Sequence, residues 1–199
     1  MRIILVRHGE TEENKKGIMQ GHIHGTLSAN GIWQAKKLAN RLKNENFNII
    51  FSSDLMRAMN TAKEIVEFHI NTPFKTTKEL REVDLGKYEG KTKEELGLLN
   101  DVNVTDIILP GEGETTEMLF ERAKKFIEFL KKNHKDKNIL LVCHGGIGQA
   151  IIGYFLGYDY SRKKEIERLD NTCVNIFELD GDKIVNKLIN CTRHLDGSN

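Results

Sequence analysis

Arg7, His8 and Gly9 leave together from the apolar run of residues 3–6, and Glu10, Thr11 and Asn14 follow within a few positions. The chemistry these residue types offer is attack on an anion. Neutral imidazole is a good nucleophile near neutral pH when its other nitrogen donates to a fixed acceptor. A guanidinium beside it holds negatively charged oxygens. A second histidine repeats the arrangement, because the apolar residues 138–143 run into His144-Gly145-Gly146 and then a helical pattern. A helix N-terminus at that point attracts an anion through its free amides and its dipole. Arg57 stands early in a helix that follows the apolar residues 47–51. By itself it reads as a solvated side chain, and His144 by itself as a hydrogen-bonded structural residue. Two histidines at equivalent strand ends change that reading. Both can face one crevice, and Arg57 is aimed at it if its strand ends beside the first. Glu82 lies in Leu80-Arg81-Glu82-Val83-Asp84-Leu85-Gly86; it is one of 29 acidic residues, and composition does not separate it from Glu79, Asp84 or Glu89.

The elements that carry these side chains alternate along the chain. Residues 3–6 and 47–51 read as short buried strands, and residues 138–143 as the most apolar strand of all. Ser28 caps a helix in which Ile32, Ala35, Leu38, Ala39 and Leu42 keep helical spacing. A second helix, over residues 55–68, has Ala58, Ala62, Ile65 and Val66 on its inner face. Residues 116–133 form a strongly amphipathic third, with Leu119, Phe120, Phe126, Ile127 and Leu130, and a fourth runs through Leu156. Residues 73–91 read as irregular or short extended structure, and residues 92–113, which end at Pro110-Gly111, show weak periodicity. The segments 173–179 and 183–189 flank Asp180-Gly181-Asp182, a hairpin signature. This alternation predicts an α/β protein: a three-layer α/β/α sandwich around a mostly parallel sheet, with a C-terminal antiparallel hairpin. No repeat, low-complexity tract or linker divides the chain, so residues 1–199 are expected to form a single domain.

The stretch Arg-His-Gly-Glu-Thr-x-x-Asn just after the first strand resembles the signature of the histidine phosphatase superfamily, the group that includes the cofactor-dependent phosphoglycerate mutases. Three more stretches follow in the family's order: Ser53-Asp54-Leu55 with Arg57-Ala58 and Thr61-Ala62, Leu80-Arg81-Glu82 with Gly86 and Glu89-Gly90, and Val142 with His144-Gly145-Gly146. The similarity extends to Gln20-Gly21, Leu27-Ser28, Gly31, Gln34-Ala35, Gly113-Glu114-Thr115 and residues 190–195, and so spans essentially the whole chain. The resemblance implies a phosphatase in which His8 attacks phosphorus and becomes a phosphohistidine. Arg7, Arg57 and His144 would hold the phosphoryl oxygens, with Asn14 adding a neutral donor. Glu82 would protonate the departing alkoxide and then take a proton from water. Thr11, Gln20, Gly21 and Gly145 complete the expected phosphate and substrate contacts, and residues 91–114 are expected as a cap over the site. No metal or other cofactor is implied, because arginines take the place of a divalent ion.

Departures from the family pattern bear on substrate choice. Relatives often have Asp-x-Pro-Leu-Thr where this chain has His24-Gly25-Thr26-Leu27-Ser28; Tyr88 stands at a common tryptophan position and Gln149 at a common arginine. The short segment 92–113 and Tyr88-Glu89-Gly90 look like the phosphatase branch. Within it, Gln20-Gly21-His22 and Gly31-Ile32-x-Gln34-Ala35-Lys36 resemble the α-ribazole-5′-phosphate phosphatases of cobalamin biosynthesis. Sugar phosphates, phosphoglycerate and phosphoserine are the other substrates to weigh. A cofactor-dependent phosphoglycerate mutase is the alternative activity. A non-catalytic, phosphate-dependent binding module is the alternative of another kind, and the retained nucleophile and acid speak against it.

Bulk properties agree with a small-molecule phosphate monoester as partner. Lys+Arg 30 against Asp+Glu 29 gives a formal charge of +1, so no global field favours nucleic acid or an anionic membrane. No apolar run approaches the roughly 18 residues of a spanning helix, and the N-terminus opens into a strand without a signal-peptide pattern. Cys143, Cys173 and Cys191 lack metal-ligand spacing and read as reduced, mostly buried thiols of a cytoplasmic protein. His22 and His24 suggest a metal through His-x-His, but with no carboxylate or cysteine partner nearby they are better placed at the pocket rim. Trp33 reads as a core or boundary residue. A homodimer is compatible with all of this.

Overall fold

A computed structural model describes residues 1–99, 104–109, 111–181 and 183–196. Among them six strands form one sheet: β1 (Arg2–Arg7), β2 (Ile49–Ser53), β3 (Phe74–Thr77), β4 (Asn138–Cys143), β5 (Val174–Asp180) and β6 (Lys183–Cys191). Their order is β3-β2-β4-β1-β5-β6. The first four of that order are parallel, while β5 runs antiparallel to β1 and β6 to β5. The expected mostly parallel sheet and C-terminal hairpin are both present. Asp182 of the hairpin turn and Pro110 of the weakly periodic segment lie outside the described residues.

Alternation along β1 explains the two helical layers. After the single turn α1 (Glu12–Lys15) come α2 (Ala29–Leu42), α3 (Met56–Val66), α4 (Thr116–Asn133) and α5 (Gly145–Leu156). Ile3 and Leu5 face α4 and α5, packing in one core with Leu119, Ile127, Ile147 and Ile151. Ile4 and Val6 face α2 and α3, packing with Leu38, Leu42, Ala58 and Ile65. Each such aliphatic side chain contributes about 1.5–3 kcal/mol on full burial. A sheet buried on both faces has strands that read as near-continuous apolar runs, as β1 and β4 do.

Several expectations need correction. Ile32 is 42% exposed, because the inward stripe of α2 is Gly31, Ala35, Leu38, Ala39 and Leu42, and Ile32 sits one position off it. Trp33 is 43% exposed on the outer face, with the Lys37 ammonium 5.6 Å from its ring centre. The second helix ends at Val66, two residues short, and residue 68 is an exposed phenylalanine in the following turn. Residues 73–91 are short extended and irregular structure, as expected: the edge strand β3 pairs with β2, and its Phe-Lys-Thr-Thr sequence carries little apolar signal. Strand β2 does not end beside β1 but beside β4, which lies between them. In the segment 91–114, Val104 and Ile108 are buried in the α4–α5 core. Thr105 Oγ1 accepts there from Thr116 Oγ1 at 2.8 Å and from Lys163 Nζ at 3.0 Å; residues 100–103 lie outside the described residues.

The three cysteines are free thiols, and burial pushes Cys143 up and Cys173 to about 11. No helix among the described residues is long and apolar enough to cross a membrane.

Candidate active site

Parallel pairing of β1 with β4 matches Arg7 to Cys143, so the next residue on each strand, His8 and His144, emerges at the same level. Their ring centres are 5.1 Å apart and both are buried. The carboxyl ends of neighbouring parallel strands are the usual ligand crevice of an α/β sheet. Hydrogen bonds assign the two tautomers. His8 Nδ1 lies 2.7 Å from the Gly9 carbonyl, which can only accept, so Nδ1 carries the proton and Nε2 keeps its lone pair. Arg57 Nε donates to His144 Nδ1 at 3.1 Å, so the His144 proton is on Nε2. One ring therefore offers a nucleophilic nitrogen and the other an N–H. Burial first, then the positive charges of Arg57 and Arg7, push both imidazoles well below the usual 6.5 and keep them neutral.

Arg57 is only 1% exposed. Its Nη2 donates to Gly21 O at 2.8 Å, and its Nη1 to the carbonyls of Ile23 and His24. Burial lowers its pKa to about 10, which still leaves it charged at neutral pH. A guanidinium has five N–H groups; with Nε on His144, one Nη2–H and the positive charge remain for an anion. Gly21 thus acts here through its carbonyl, as a clasp on Arg57. Arg7 Nη1 donates to Leu169 O at 2.6 Å. Arg7 Nε, His144 Nε2 and Gln20 Oε1 are buried without a partner among the described residues. A buried unpaired polar group costs about 1–3 kcal/mol, so two N–H donors left unpaired beside the His8 turn mark an anion site.

Glu82 sits against the start of α5. Its Oε2 accepts from Gly146 N at 3.0 Å, and its Oε1 from Ile147 N at 3.2 Å and Val83 N at 3.0 Å. The α5 amides expected to cradle an anion directly hold this carboxyl instead, because the chain at 80–83 passes over the helix end. A Cβ on Gly145 would lie 3.6 Å from Glu82 Oε2 and 3.7 Å from Arg7 Nε, so the carboxyl and the guanidinium flank this glycine. The Glu82 carbonyl is held in turn by His22 Nε2 at 3.0 Å and Arg122 Nη2 at 3.3 Å. Arg122 forks onto Glu114 at 2.7 and 2.6 Å. His22 therefore links the 20–25 loop to Glu82, and His24 Nδ1 accepts from Met56 N at 3.3 Å. No group of three His, Cys, Asp or Glu able to hold a metal occurs among the described residues.

The remaining expected residues stand one step back. Thr11 and Asn14 form the capping box of α1: Thr11 Oγ1 accepts from Asn14 N at 3.0 Å, and Asn14 Oδ1 from Thr11 N at 3.2 Å. Gln20 Nε2 donates to Thr11 Oγ1 at 2.8 Å. Asn14 lines a cleft of about 410 Å³ together with Arg7, Lys15, Arg168, Asp170 and Asn171. Neither this cleft nor a larger groove of about 1020 Å³ beside α4, around Met118, Phe120 and Tyr154, is lined by His8 or His144; the cleft shares Arg7 with the site.

Two parts of the site escaped sequence reasoning. Thr61, present in the matched stretch but given no role, accepts from Gly9 N at 3.1 Å and donates to Arg57 O at 2.8 Å. The loop 168–172 carries no motif at all, yet Asn171 Nδ2 donates to His8 O at 3.0 Å and Thr172 N to Arg7 O at 3.1 Å.

Comparison with known proteins gives one consistent picture. The family model described as histidine phosphatase superfamily (branch 1) matches residues 3–192. The chain is 33% identical to phosphoglycerate mutase-like protein 4 of Arabidopsis thaliana, over 98% of this chain and 86% of that protein. It is also 33% identical to the metal-independent phosphoserine phosphatase of Arabidopsis thaliana, over 91% of this chain and 77% of that one. Among solved structures it resembles the α-ribazole phosphatase of Shigella flexneri, with a TM-score of 0.86 and 27% identity, over 96% of this chain and 97% of that chain.

Proposed function

Starting from a chain that belongs to the histidine phosphatase superfamily, we propose that it hydrolyses small phosphate monoesters through a phosphohistidine on His8. The observation that carries this reading is the pair of buried, unpartnered donors, Arg7 Nε–H and His144 Nε2–H, beside an imidazole whose free nitrogen is Nε2. They suit the equatorial oxygens of a phosphoryl group, with Arg57 adding charge and Asn14 a neutral donor.

His8 Nε2 attacks phosphorus in line, the N–P bond forms, and the P–O bond to the leaving group breaks. Glu82 gives its proton to the departing oxygen. Water then attacks phosphorus, Glu82 takes its proton, the N–P bond breaks, and phosphate leaves with His8 again neutral. The Nδ1–H···O=C bond to Gly9 persists through both steps, which keeps the attacking lone pair on Nε2. The arginines supply the positive charge, and the chemistry needs no metal. The polar cleft around Asn14, Lys15, Arg168 and Asp170, which shares Arg7 with the site, suits a compact polar leaving group such as that of a sugar phosphate or phosphoserine.

Hydrolysis of p-nitrophenyl phosphate in EDTA by wild type and His8→Ala tests the reading. Chelator-resistant turnover that disappears in the variant is expected. Turnover that survives in His8→Ala would overturn the mechanism. No turnover with this ester, sugar phosphates or phosphoserine would favour a mutase, to be assayed with 3-phosphoglycerate, or a phosphate-binding module.

A further inference from the structure

The peptide joining His8 to Gly9 is held at both poles. On its N–H side, Gly9 N donates to Thr61 Oγ1 at 3.1 Å, and Thr61 passes its own proton to Arg57 O at 2.8 Å. On its carbonyl side, His8 O accepts from Asn171 Nδ2 at 3.0 Å and from Thr172 N at 3.3 Å. Thr61 and Thr172 are fully buried. Thr172 holds a φ of +56°, a left-handed conformation that a β-branched residue rarely adopts. Strain of this kind persists only where the surroundings impose it, and here they do. Thr172 Oγ1 donates to Asn171 O at 2.7 Å and accepts from His194 Nε2 at 3.2 Å. His194 Nδ1 accepts from Arg41 Nη1 at 3.0 Å, which fixes the proton on Nε2.

We infer that Thr61 and Asn171 are positioning residues for the nucleophile. With its N–H and C=O both fixed, the His8–Gly9 peptide cannot rotate. The next peptide, which carries the Gly9 carbonyl, is held from its other pole by Glu10 N donating to Gln34 Oε1 at 2.8 Å. With the preceding peptide clamped, that carbonyl stays under His8 Nδ1, and Nε2 points at the substrate phosphorus. Thr61 also ties the nucleophile's turn to the helix that carries Arg57, so the attacking nitrogen and the charge that receives the phosphoryl group share one frame. This inference rests on the phosphohistidine mechanism proposed above.

Thr61→Val keeps the shape and removes the acceptor, leaving Gly9 N–H buried and unpaired; Thr61→Ser keeps the hydroxyl; Asn171→Ala removes the donor from the other pole. With p-nitrophenyl phosphate, kcat is expected to fall about 10- to 100-fold in Thr61→Val and in Asn171→Ala, with KM nearly unchanged. Thr61→Ser should retain most of the rate. The ring-nitrogen resonances of 15N-labelled His8 should show one Nδ1–H tautomer in wild type and Thr61→Ser, and a mixture in the other two. Equal losses in Thr61→Ser and Thr61→Val would overturn the inference, as would an unchanged tautomer and kcat in both Thr61→Val and Asn171→Ala. The resonance measurement needs no turnover, so an inactive wild type would sink the enzymatic reading while the tautomer populations still decide the clamp.

Discussion

Glu82→Gln separates the acid role proposed for Glu82 from its structural one. The carboxyl accepts three amide hydrogen bonds, from Gly146, Ile147 and Val83, at 3.0, 3.2 and 3.0 Å. Glutamine is nearly isosteric and can keep its oxygen on the Ile147 and Val83 amides. Its NH2 then faces Gly146 N–H, donor against donor, and that buried amide loses its acceptor. An unpaired buried donor costs about 1–3 kcal/mol. Urea unfolding should show a decrease of about 1–3 kcal/mol. Catalysis should respond differently with different esters. An alkyl phosphate needs its leaving oxygen protonated, so phosphate release from glycerol phosphate should slow about 10²–10⁴-fold. The p-nitrophenolate leaves without help, and its release should change little. Equal rate losses on both esters would refute the assignment of Glu82 as the acid. Undiminished stability would refute the energetic importance of the amide contacts.

Acidification should weaken the fold from about pH 6.5 downward. His8 and His144 titrate well below 6.5 in the native site, and burial and then Arg41 hold His194 down to about 4. Below pH 6.5 the unfolded chain therefore binds more protons than the native one, so unfolding free energy drops with pH; it is fully present only above that value. His194→Gln should flatten the slope between pH 6.5 and about 4 in urea titrations, and a slope unchanged by that substitution would argue against the shift. The acid limb of kcat/KM should likewise fall below pH 6.5, since His8 is already neutral there; a limb centred at 6.5 or above would contradict its environment. Gly31→Ala should destabilise by about 1–3 kcal/mol or more, because its Cβ would lie 1.9 Å from the Glu10 carbonyl oxygen, a backbone atom that cannot step aside. Thermal unfolding reads this directly, and an unchanged melting temperature would show that the turn after His8 is looser than described.

The parts of this protein that were legible in its sequence are those coded by neighbours along the chain. The strand before His8, the strand before His144, and the cap Ser28 each depend on a few adjacent residues, and α4 and β4 have the boundaries that periodicity predicts. What was not legible depends on residues far apart in sequence. The placement of β4 between β1 and β2 follows from packing of the whole sheet. That Arg57 spends most of its donors on carbonyls of the 20–25 loop depends on contacts about 35 positions away, with separations of 36, 34 and 33 residues. Thr61 has no role to read until the fold brings the Gly9 amide to it, and the loop 168–172 has no pattern to read. Ile32 shows the limit from the other side: its hydropathy suggested the core, but a glycine one position earlier takes the inward place because the Glu10 carbonyl leaves no room for more.

The grip of Arg57 on the 20–25 loop has a consequence for motion. To swing that loop outward, the molecule would have to strip a buried cation of three carbonyl acceptors, at a cost far above thermal energy. The loop is therefore fixed to the buried guanidinium and is no lid. Arg57 is set in place in the free protein, and on the proposed mechanism turnover waits on no closure there. Backbone amides in this stretch should exchange with solvent on the slow schedule of the sheet, unlike ordinary surface connections.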